Sequence, residues 1–92
     1  MDMNEMPIYF IYVLESLSDN RKYVGQSSHL DRRLKAHNQG KCRYTKGHRP
    51  WKLVYSEPYL SRSEAMKREK FLKTGSGRRL VEELLSRSLK ID

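Results

Sequence analysis

Residues 8–26 read IYFIYVLESLSDNRKYVGQ, and this stretch decides the fold that we predict. Its first part, residues 8–14, is rich in β-branched and aromatic residues and is apolar at both odd and even positions. A strand with two apolar faces is one that is covered on both sides, so residues 8–14 predict a central strand. The turn-forming run at 16–20 and the second β-rich run at 22–26 then predict a hairpin.

The rest of the chain predicts one further strand and three helices. A basic loop at residues 40–50 leads to an apolar strand at 51–55. Ser61 and Glu64 form a capping box, which marks the start of a helix. Helical periodicity and caps place the helices at about residues 28–38, 61–73 and 78–87. The order β-β-α-β-α-α predicts an α+β fold, a single domain over residues 1–92 with a three-stranded, mostly antiparallel sheet flanked by helices.

The charge of the chain is positive and unevenly distributed. Nineteen Lys and Arg against eleven Asp and Glu give a net charge of +8 at pH 7. Residues 1–20 contain four acidic residues and no basic one, whereas residues 21–50 contain nine basic residues and one acidic residue. This concentration favours a polyanionic partner, most commonly nucleic acid, over a membrane surface. A basic protein without such a partner is the alternative.

The cysteine content and the absence of long apolar runs indicate the compartment. Cys42 is the single cysteine and cannot form an internal disulfide. No apolar run approaches the roughly 20 residues of a membrane helix, and we find no signal peptide, so we expect a soluble cytoplasmic protein. One cysteine and three histidines also make a structural zinc site improbable.

Two polar side chains are predicted on a helix face that should be buried. A rotation of about 100° per residue places Arg33 and His37 in the same sector as Leu30 and Leu34. An amphipathic helix usually keeps such residues on its solvent side. The pair therefore marks a candidate site. A snorkelling arginine and a hydrogen-bonded histidine at the edge of the core would explain each residue separately.

Three more polar residues are predicted to point towards the same region. Glu69 shares a helix stripe with Ala65 and Leu72, and a buried carboxylate needs a cation, which would be a metal ion or an arginine in a structural salt bridge. Tyr12 and Tyr23 would lie on adjacent strands, where tyrosines are usually core residues. Cleavage of a phosphodiester needs a base for the attacking water, a cation against the phosphate charge, a metal ion, and a path that brings a proton to the leaving oxygen. These side chains include a candidate for each role or, for the metal ion, a candidate ligand.

Two triplets in the hairpin resemble the signature of the GIY-YIG nuclease superfamily. FIY at residues 10–12 matches the first triplet, and YVG at 23–25 matches the second after a ten-residue interval. The chain is most similar in layout to small single-domain bacterial members related to the N-terminal nuclease module of excision-repair proteins. The resemblance covers about residues 8–80, and it implies a three-stranded antiparallel sheet flanked by helices.

The resemblance also implies roles for individual residues. Arg33 corresponds to the catalytic arginine of the family, and it would neutralise charge on the phosphate. One of the two tyrosines, with Tyr23 preferred to Tyr12, would act as or assist the general base, helped by a neighbouring cation or by a proton acceptor such as His37. Glu69 corresponds to the metal-binding glutamate, and it would hold one Mg²⁺ or Mn²⁺. Together these roles imply a metal-dependent endonuclease that hydrolyses DNA, with structure-specific cleavage as one form of that activity.

Basic residues outside this set are expected to contact flanking phosphates of a nucleic acid, with DNA favoured over RNA. They are Lys41, Arg43, Lys46, Arg49, Lys70, Lys73 and Arg78. The run TGSGR at 74–78 would bind a phosphate through backbone N–H groups, or would simply end one helix and cap the next.

The chain also departs from the family pattern. Phe10 replaces the first glycine, and the asparagine that some members carry after the metal-binding helix has no counterpart. No recognition domain accompanies the signature. These departures leave open a nucleic-acid-binding or accessory module with little or no cleavage, or a nuclease that takes its specificity from a protein partner.

Overall fold

Three strands form one antiparallel sheet in a computed structural model that describes residues 8–89. The strands are β1 (Tyr9–Ser16), β2 (Lys22–Ser27) and β3 (Trp51–Tyr59). Their order in the sheet is β2-β1-β3, so the strand with two apolar faces is central, as predicted. The hairpin is also confirmed, because β1 and β2 pair antiparallel.

Four helices cover the two faces of this sheet. They are α1 (Leu30–Asn38), α2 (Arg43–Lys46), α3 (Arg62–Leu72) and α4 (Gly75–Leu89). The α+β fold and the order of its main elements are confirmed. None of these helices within residues 8–89 is long and apolar enough to cross a bilayer. The assignment of residues 1–92 to a single domain stays a prediction.

The boundaries of several elements differ from those predicted. The loop predicted at 40–50 contains the short helix α2, and α1 begins at residue 30 rather than 28. β3 continues through Pro58 to Tyr59. A proline has no backbone N–H, but β3 is an edge strand, where a residue can do without this N–H on the side that has no neighbouring strand. α4 begins at Gly75 rather than near residue 78.

The start of α4 explains the run at 74–78. Thr74 Oγ1 accepts a hydrogen bond from the backbone N–H of Gly77 at 3.1 Å, so the run caps α4, which is one of the two expected interpretations. A Cβ at Gly77 would collide with the backbone of Phe71 and Leu72. Only a glycine therefore lets α4 begin this close to the end of α3.

A side chain of α1 binds the first residue of β3. The Asn38 amide donates to the carbonyl of Trp51 at 2.9 Å and accepts from its N–H at 2.7 Å. The indole N–H of Trp51 donates to the carbonyl of Thr45 in α2 at 2.8 Å. These bonds fix α1 and α2 against the start of β3.

Two clusters of buried residues lie on opposite faces of the sheet. We call the first the apolar cluster; it joins the sheet to α3 and α4 through Ile11, Val13, Ala65, Leu72 and Val81. We call the second the aromatic cluster; it joins the sheet to α1 through Tyr12, Leu14 and Trp51, with Tyr23, Leu30 and Leu34 packed against them. Alternate residues of β1 supply the two clusters, as expected for a strand covered on both sides.

Candidate active site

Tyr12 lies at the centre of the aromatic cluster, directly opposite Gly25. The two residues are partners in the pairing of β1 with β2. A Cβ built on Gly25 would be 2.5 Å from the Tyr12 hydroxyl, so the glycine leaves the space that this hydroxyl occupies. The Tyr12 hydroxyl thus lies closer to Gly25 than any residue with a Cβ at that position would allow.

A chain of hydrogen bonds runs from Tyr12 through α1 into α2. The Tyr12 hydroxyl is 2.9 Å from His37 Nε2, and His37 Nδ1 is 2.8 Å from Thr45 Oγ1. The Thr45 hydroxyl donates to the carbonyl of Cys42 at 3.3 Å. With that proton committed, Thr45 accepts from Nδ1–H, and Nε2 is left to accept from Tyr12. This arrangement gives every donor an acceptor.

Burial keeps the two ring groups of this chain neutral. Burial first, and then the charge of Arg33, lowers the pKa of His37 to about 4. Burial raises the pKa of Tyr12 to about 12, against a hydrogen bond from Arg33 that lowers it. Near neutral pH the pair is therefore a phenol and a neutral imidazole, with the phenolic proton directed at Nε2.

Arg33 connects this buried chain to solvent. Its Nε donates to the Tyr12 hydroxyl at 3.4 Å, a long hydrogen bond, while the residue as a whole is exposed. The hydrogen bond to Tyr12 raises the pKa of Arg33 above its ordinary value, so the guanidinium is charged. Its remaining N–H donors are available for an anion such as a phosphate.

Tyr23 is the more open of the two tyrosines. Its ring centroid lies 5.0 Å from that of His37 and 6.3 Å from that of Tyr12. Its hydroxyl makes no hydrogen bond to any group within residues 8–89, and the ammonium of Lys73 lies 5.5 Å from its ring centroid. Tyr12, Tyr23, Arg33 and His37 are thus gathered at one place.

Glu69 lies on α3, on the other side of the sheet, and is linked to Tyr23 through a lysine. The predicted inward carboxylate is partly exposed, at 22%, and one of its oxygens is 2.9 Å from Lys73 Nζ. We predicted a metal ion or an arginine as its cation; the metal ion stays a prediction, and the pairing with the lysine one turn away corrects the expectation of an arginine. This pairing arises because the (i, i+4) spacing on α3 puts the two side chains side by side.

The donors around Glu69 fit a hydrated magnesium ion better than a protein cage. Within residues 8–89 no three His, Cys, Asp or Glu side chains lie close enough to hold a metal together. Mg²⁺ in nuclease-like sites is usually held by one or two carboxylates, with water and substrate oxygens completing its shell. A single half-buried carboxylate suits that mode.

The expected phosphate contacts fall into three places. Around α2 four exposed cations have no salt bridge to any carboxylate in the described part of the chain: Lys41, Arg43, Lys46 and Arg49. Lys73 and Arg78 line a cleft beside Tyr23. Lys70 lies apart from them, in a shallow hollow that Met66 also lines.

Two residues of the predicted loop were missed as parts of the site. Thr45 is fully buried and orients His37. Tyr44 is 56% exposed, and its ring stacks on that of Tyr23 with centroids 5.9 Å apart and planes at 30°. The adjacent Tyr and Thr inside a basic stretch were the available signal.

This geometry is accompanied by a match to a known family. Residues 8–81 match the GIY-YIG catalytic domain. The chain belongs to the GIY-YIG family. Its two signature triplets lie on the paired strands β1 and β2, and GIY-YIG domains form a nuclease family.

Relatives of similar size accompany this match. A UPF0213 protein of Staphylococcus haemolyticus is 42% identical over 72 residues, which are 77% of this chain and 87% of that protein. A UPF0213 protein of Staphylococcus aureus is 41% identical over 70 residues, which are 75% and 84% of the two chains. The solution NMR structure of a UPF0213 protein from Bacillus halodurans is 32% identical, covers 84% of each chain and has a TM-score of 0.52. These matches each cover at least three quarters of both chains.

Proposed function

We propose that this GIY-YIG protein is a metal-dependent endonuclease that hydrolyses phosphodiester bonds in DNA. The observation that carries the proposal is the contact of Tyr12 with both His37 and Arg33, at 2.9 and 3.4 Å, beside the open Tyr23. A charged guanidinium, two phenols and a neutral imidazole at one solvent-accessible place suit the transfer of protons around a phosphate.

Tyr23 is the residue that we assign as general base. Its hydroxyl is not committed to a protein partner within residues 8–89, and its ring is less buried than that of Tyr12, so a water molecule can reach it. In the reaction, Tyr23 as tyrosinate accepts a proton from the attacking water, whose oxygen bonds to phosphorus. The bond from phosphorus to the leaving oxygen breaks, and that oxygen takes a proton from solvent.

Arg33 is the residue that we assign to the scissile phosphate. Its guanidinium binds two phosphate oxygens and opposes the charge that accumulates on them in the transition state. Tyr12 and His37 are positioning residues in this assignment. The proton-acceptor role expected of His37 is not kept for Tyr23, because both ring nitrogens of His37 are hydrogen-bonded to other residues, Tyr12 and Thr45. Tyr12 holds Nε of Arg33, and His37 fixes the direction of the Tyr12 hydroxyl.

Glu69 is the residue that we assign to the metal ion. Its carboxylate would hold one Mg²⁺ or Mn²⁺, which supplies Lewis-acid stabilisation of the phosphate charge. The carboxylate has one oxygen engaged by Lys73 and is partly exposed, so an ion can reach it. The unpaired cations around α2 bind the flanking DNA backbone, and a protein partner could add specificity.

A cleavage assay with a matched pair of glutamate variants tests the proposal. The purified protein is incubated with branched, flapped, single-stranded and duplex DNA, and with RNA, in Mg²⁺ or in EDTA. We expect cleavage of at least one DNA substrate in Mg²⁺ and none in EDTA. Binding without cleavage under every condition would contradict the proposal and favour the accessory module.

Glu69→Gln should abolish this cleavage, whereas Glu64→Gln on the same helix should not. The Glu69–Lys73 pair is an exposed (i, i+4) pair worth about 0.3–0.5 kcal/mol, so the melting temperature should change little. Mg²⁺ titration followed by NMR reads out the ion directly. Unchanged Mg²⁺ binding by Glu69→Gln would exclude the ligand role.

A further inference from the structure

A cleft of about 620 Å³ opens beside Tyr23, along the edge strand β2. Val24 gives it an apolar lining above the buried side chains of Leu72 and Val81, and the stacked rings of Tyr23 and Tyr44 border it. Its volume falls in the range of about 300–1,000 Å³ that is typical of small-ligand sites. An exposed aromatic ring beside an apolar surface is the kind of platform on which nucleic-acid bases stack.

The charged groups of the cleft leave one cation free. Of the four cations that line it, three have a carboxylate partner: Arg21 with Asp19 at 3.3 Å, Lys22 with Glu82 at 3.1 Å, and Lys73 with Glu69 at 2.9 Å. The fourth, Arg78, makes no salt bridge within residues 8–89. Arg78 is therefore the group in the cleft best able to bind an anion, and a guanidinium binds phosphate through two N–H groups.

The cleft shares a residue with the candidate active site. Tyr23 borders the cleft and also lies 5.0 Å from His37, ring centroid to ring centroid. A group bound in the cleft would thus be next to the residue that we assign as general base. An aromatic platform, an apolar lining and a free guanidinium together match the three parts of a nucleotide, which are a base, a sugar and a phosphate.

We propose that this cleft binds one nucleotide of the substrate strand, the one adjacent to the cleaved phosphate. The base lies against Tyr44 and the apolar lining, and the phosphate of that nucleotide binds Arg78. The assignment of the nucleotide to a substrate strand rests on the proposed nuclease function. The binding of a nucleotide in the cleft does not need cleavage, and it can be measured separately.

Titration with a free nucleotide, without metal, tests the site. The probes are deoxyadenosine 5′-monophosphate, deoxyadenosine and inorganic phosphate, each added in EDTA to the full chain labelled for NMR. We expect the nucleotide to bind at least tenfold more tightly than either part, with shifts in the methyl signals of Val24, Leu72 and Val81. Equal affinity for phosphate alone, or shifts confined to the hollow of Lys70, would overturn the proposal.

Adjacent arginines of α4 provide a matched control. Arg78→Gln should weaken nucleotide binding about tenfold, whereas Arg79→Gln should not, since Arg79 does not line the cleft and instead contacts Ser76. Tyr44→Ala should weaken binding of the nucleotide but not of phosphate, and Tyr44→Phe should retain it. Equal effects of the two arginine variants would refute the assignment of Arg78.

The two proposals fail in different ways. Cleavage of DNA by a protein whose cleft binds no nucleotide would leave the nuclease function standing and remove the cleft from it. Nucleotide binding in the cleft by a protein that cleaves nothing would support the site and contradict the nuclease.

Discussion

The two faces of the sheet are built from alternate residues of one strand, yet they differ in chemistry. On one face, Ile11 and Val13 are buried among the side chains of the apolar cluster. On the other, Tyr12 belongs to a hydrogen-bonded chain with the fully buried His37 and Thr45. Within residues 8–89 no buried side-chain nitrogen or oxygen lacks a partner, so the polar face avoids the usual penalty of buried polar atoms.

The charges divide in a similar way. On the α3 side of the sheet, the Glu57 carboxylate accepts hydrogen bonds from Arg68 and from the hydroxyls of Tyr55 and Tyr59. In residues 30–49, no Lys or Arg has a salt bridge within the described part of the chain. The difference shows that the α3 side holds Arg68 in a network that stabilises the fold, whereas the α1–α2 segment on the other side leaves all of its lysines and arginines without a salt bridge to any described residue.

The largest expected effect is on the rate, and it comes from the polar face. Arg33→Ala removes the guanidinium that we assign to the phosphate and should slow single-turnover cleavage by about 10²–10³, or roughly 3–4 kcal/mol. Arg32→Ala, its neighbour on α1, should change only affinity, by a few-fold. Equal cleavage rates for the two variants would remove the catalytic role of Arg33.

The next effect is on stability, and it comes from the apolar face. Ile11 is fully buried in the apolar cluster and does not line the cleft beside Tyr23, so Ile11→Ala should lower the free energy of unfolding by about 3 kcal/mol. The single-turnover rate of the fraction that stays folded should change little. Denaturant unfolding and cleavage at a temperature well below the transition measure the two. A large loss of rate in fully folded protein would show that the faces are not separate.

A smaller change in the hairpin should affect both properties. Gly25→Ala places a methyl group where the Tyr12 hydroxyl lies, so Tyr12 must move away from His37 and Arg33. We expect a loss of about 2 kcal/mol in stability together with a marked loss of cleavage. Gly47→Ala, at a position with open space around it, is the control. A fully active Gly25→Ala protein would argue against a role for the Tyr12 hydroxyl.

The most gradual effect is a dependence of stability on pH. Burial, and then Arg33, lowers the pKa of His37 to about 4, whereas in the unfolded chain it is about 6.5. The unfolded chain therefore takes up this proton first as the pH falls. The stability due to neutral His37 is fully present above about pH 6.5 and is lost as the pH falls towards 4.

The slope due to this residue is at most about 1.4 kcal/mol per pH unit. Unfolding free energies of wild type and His37→Gln, measured between pH 4 and 8, should differ in slope only within that window. Parallel curves would mean that His37 is not buried as a neutral group.

The sequence predicts the sheet well because its periodic signals are local. The apolar residues of β1 on both faces, the hairpin and the cap at Ser61 follow from short-range patterns, and Ser61 Oγ accepts from the N–H of Glu64 at 3.1 Å as expected. The helical step of α1 likewise places Arg33 and His37 together near Tyr12. That grouping was predicted from residue spacing, whereas the roles assigned to the residues stay predictions.

Contacts between distant segments are less accessible from sequence. Thr45 looked like an exposed loop residue, and it is buried only because α2 folds back beneath α1 and bonds His37. The ion-pair partner of Glu69 could not be predicted either, because several cations lie near it in the sequence and only the folded conformation shows that its side chain reaches Lys73.

The bonds between Asn38 and Trp51 have a consequence for association of the protein with itself. An edge strand exposes unpaired N–H and C=O groups, to which a strand of another molecule can add. Here the Asn38 amide occupies both groups of Trp51, as a neighbouring strand would, and near the other end of β3 Pro58 has no N–H to offer. The part of β3 whose N–H and C=O groups are open to another strand is thus shortened at both ends. Asn38→Ala should lengthen that part and make the protein more prone to edge-to-edge aggregation.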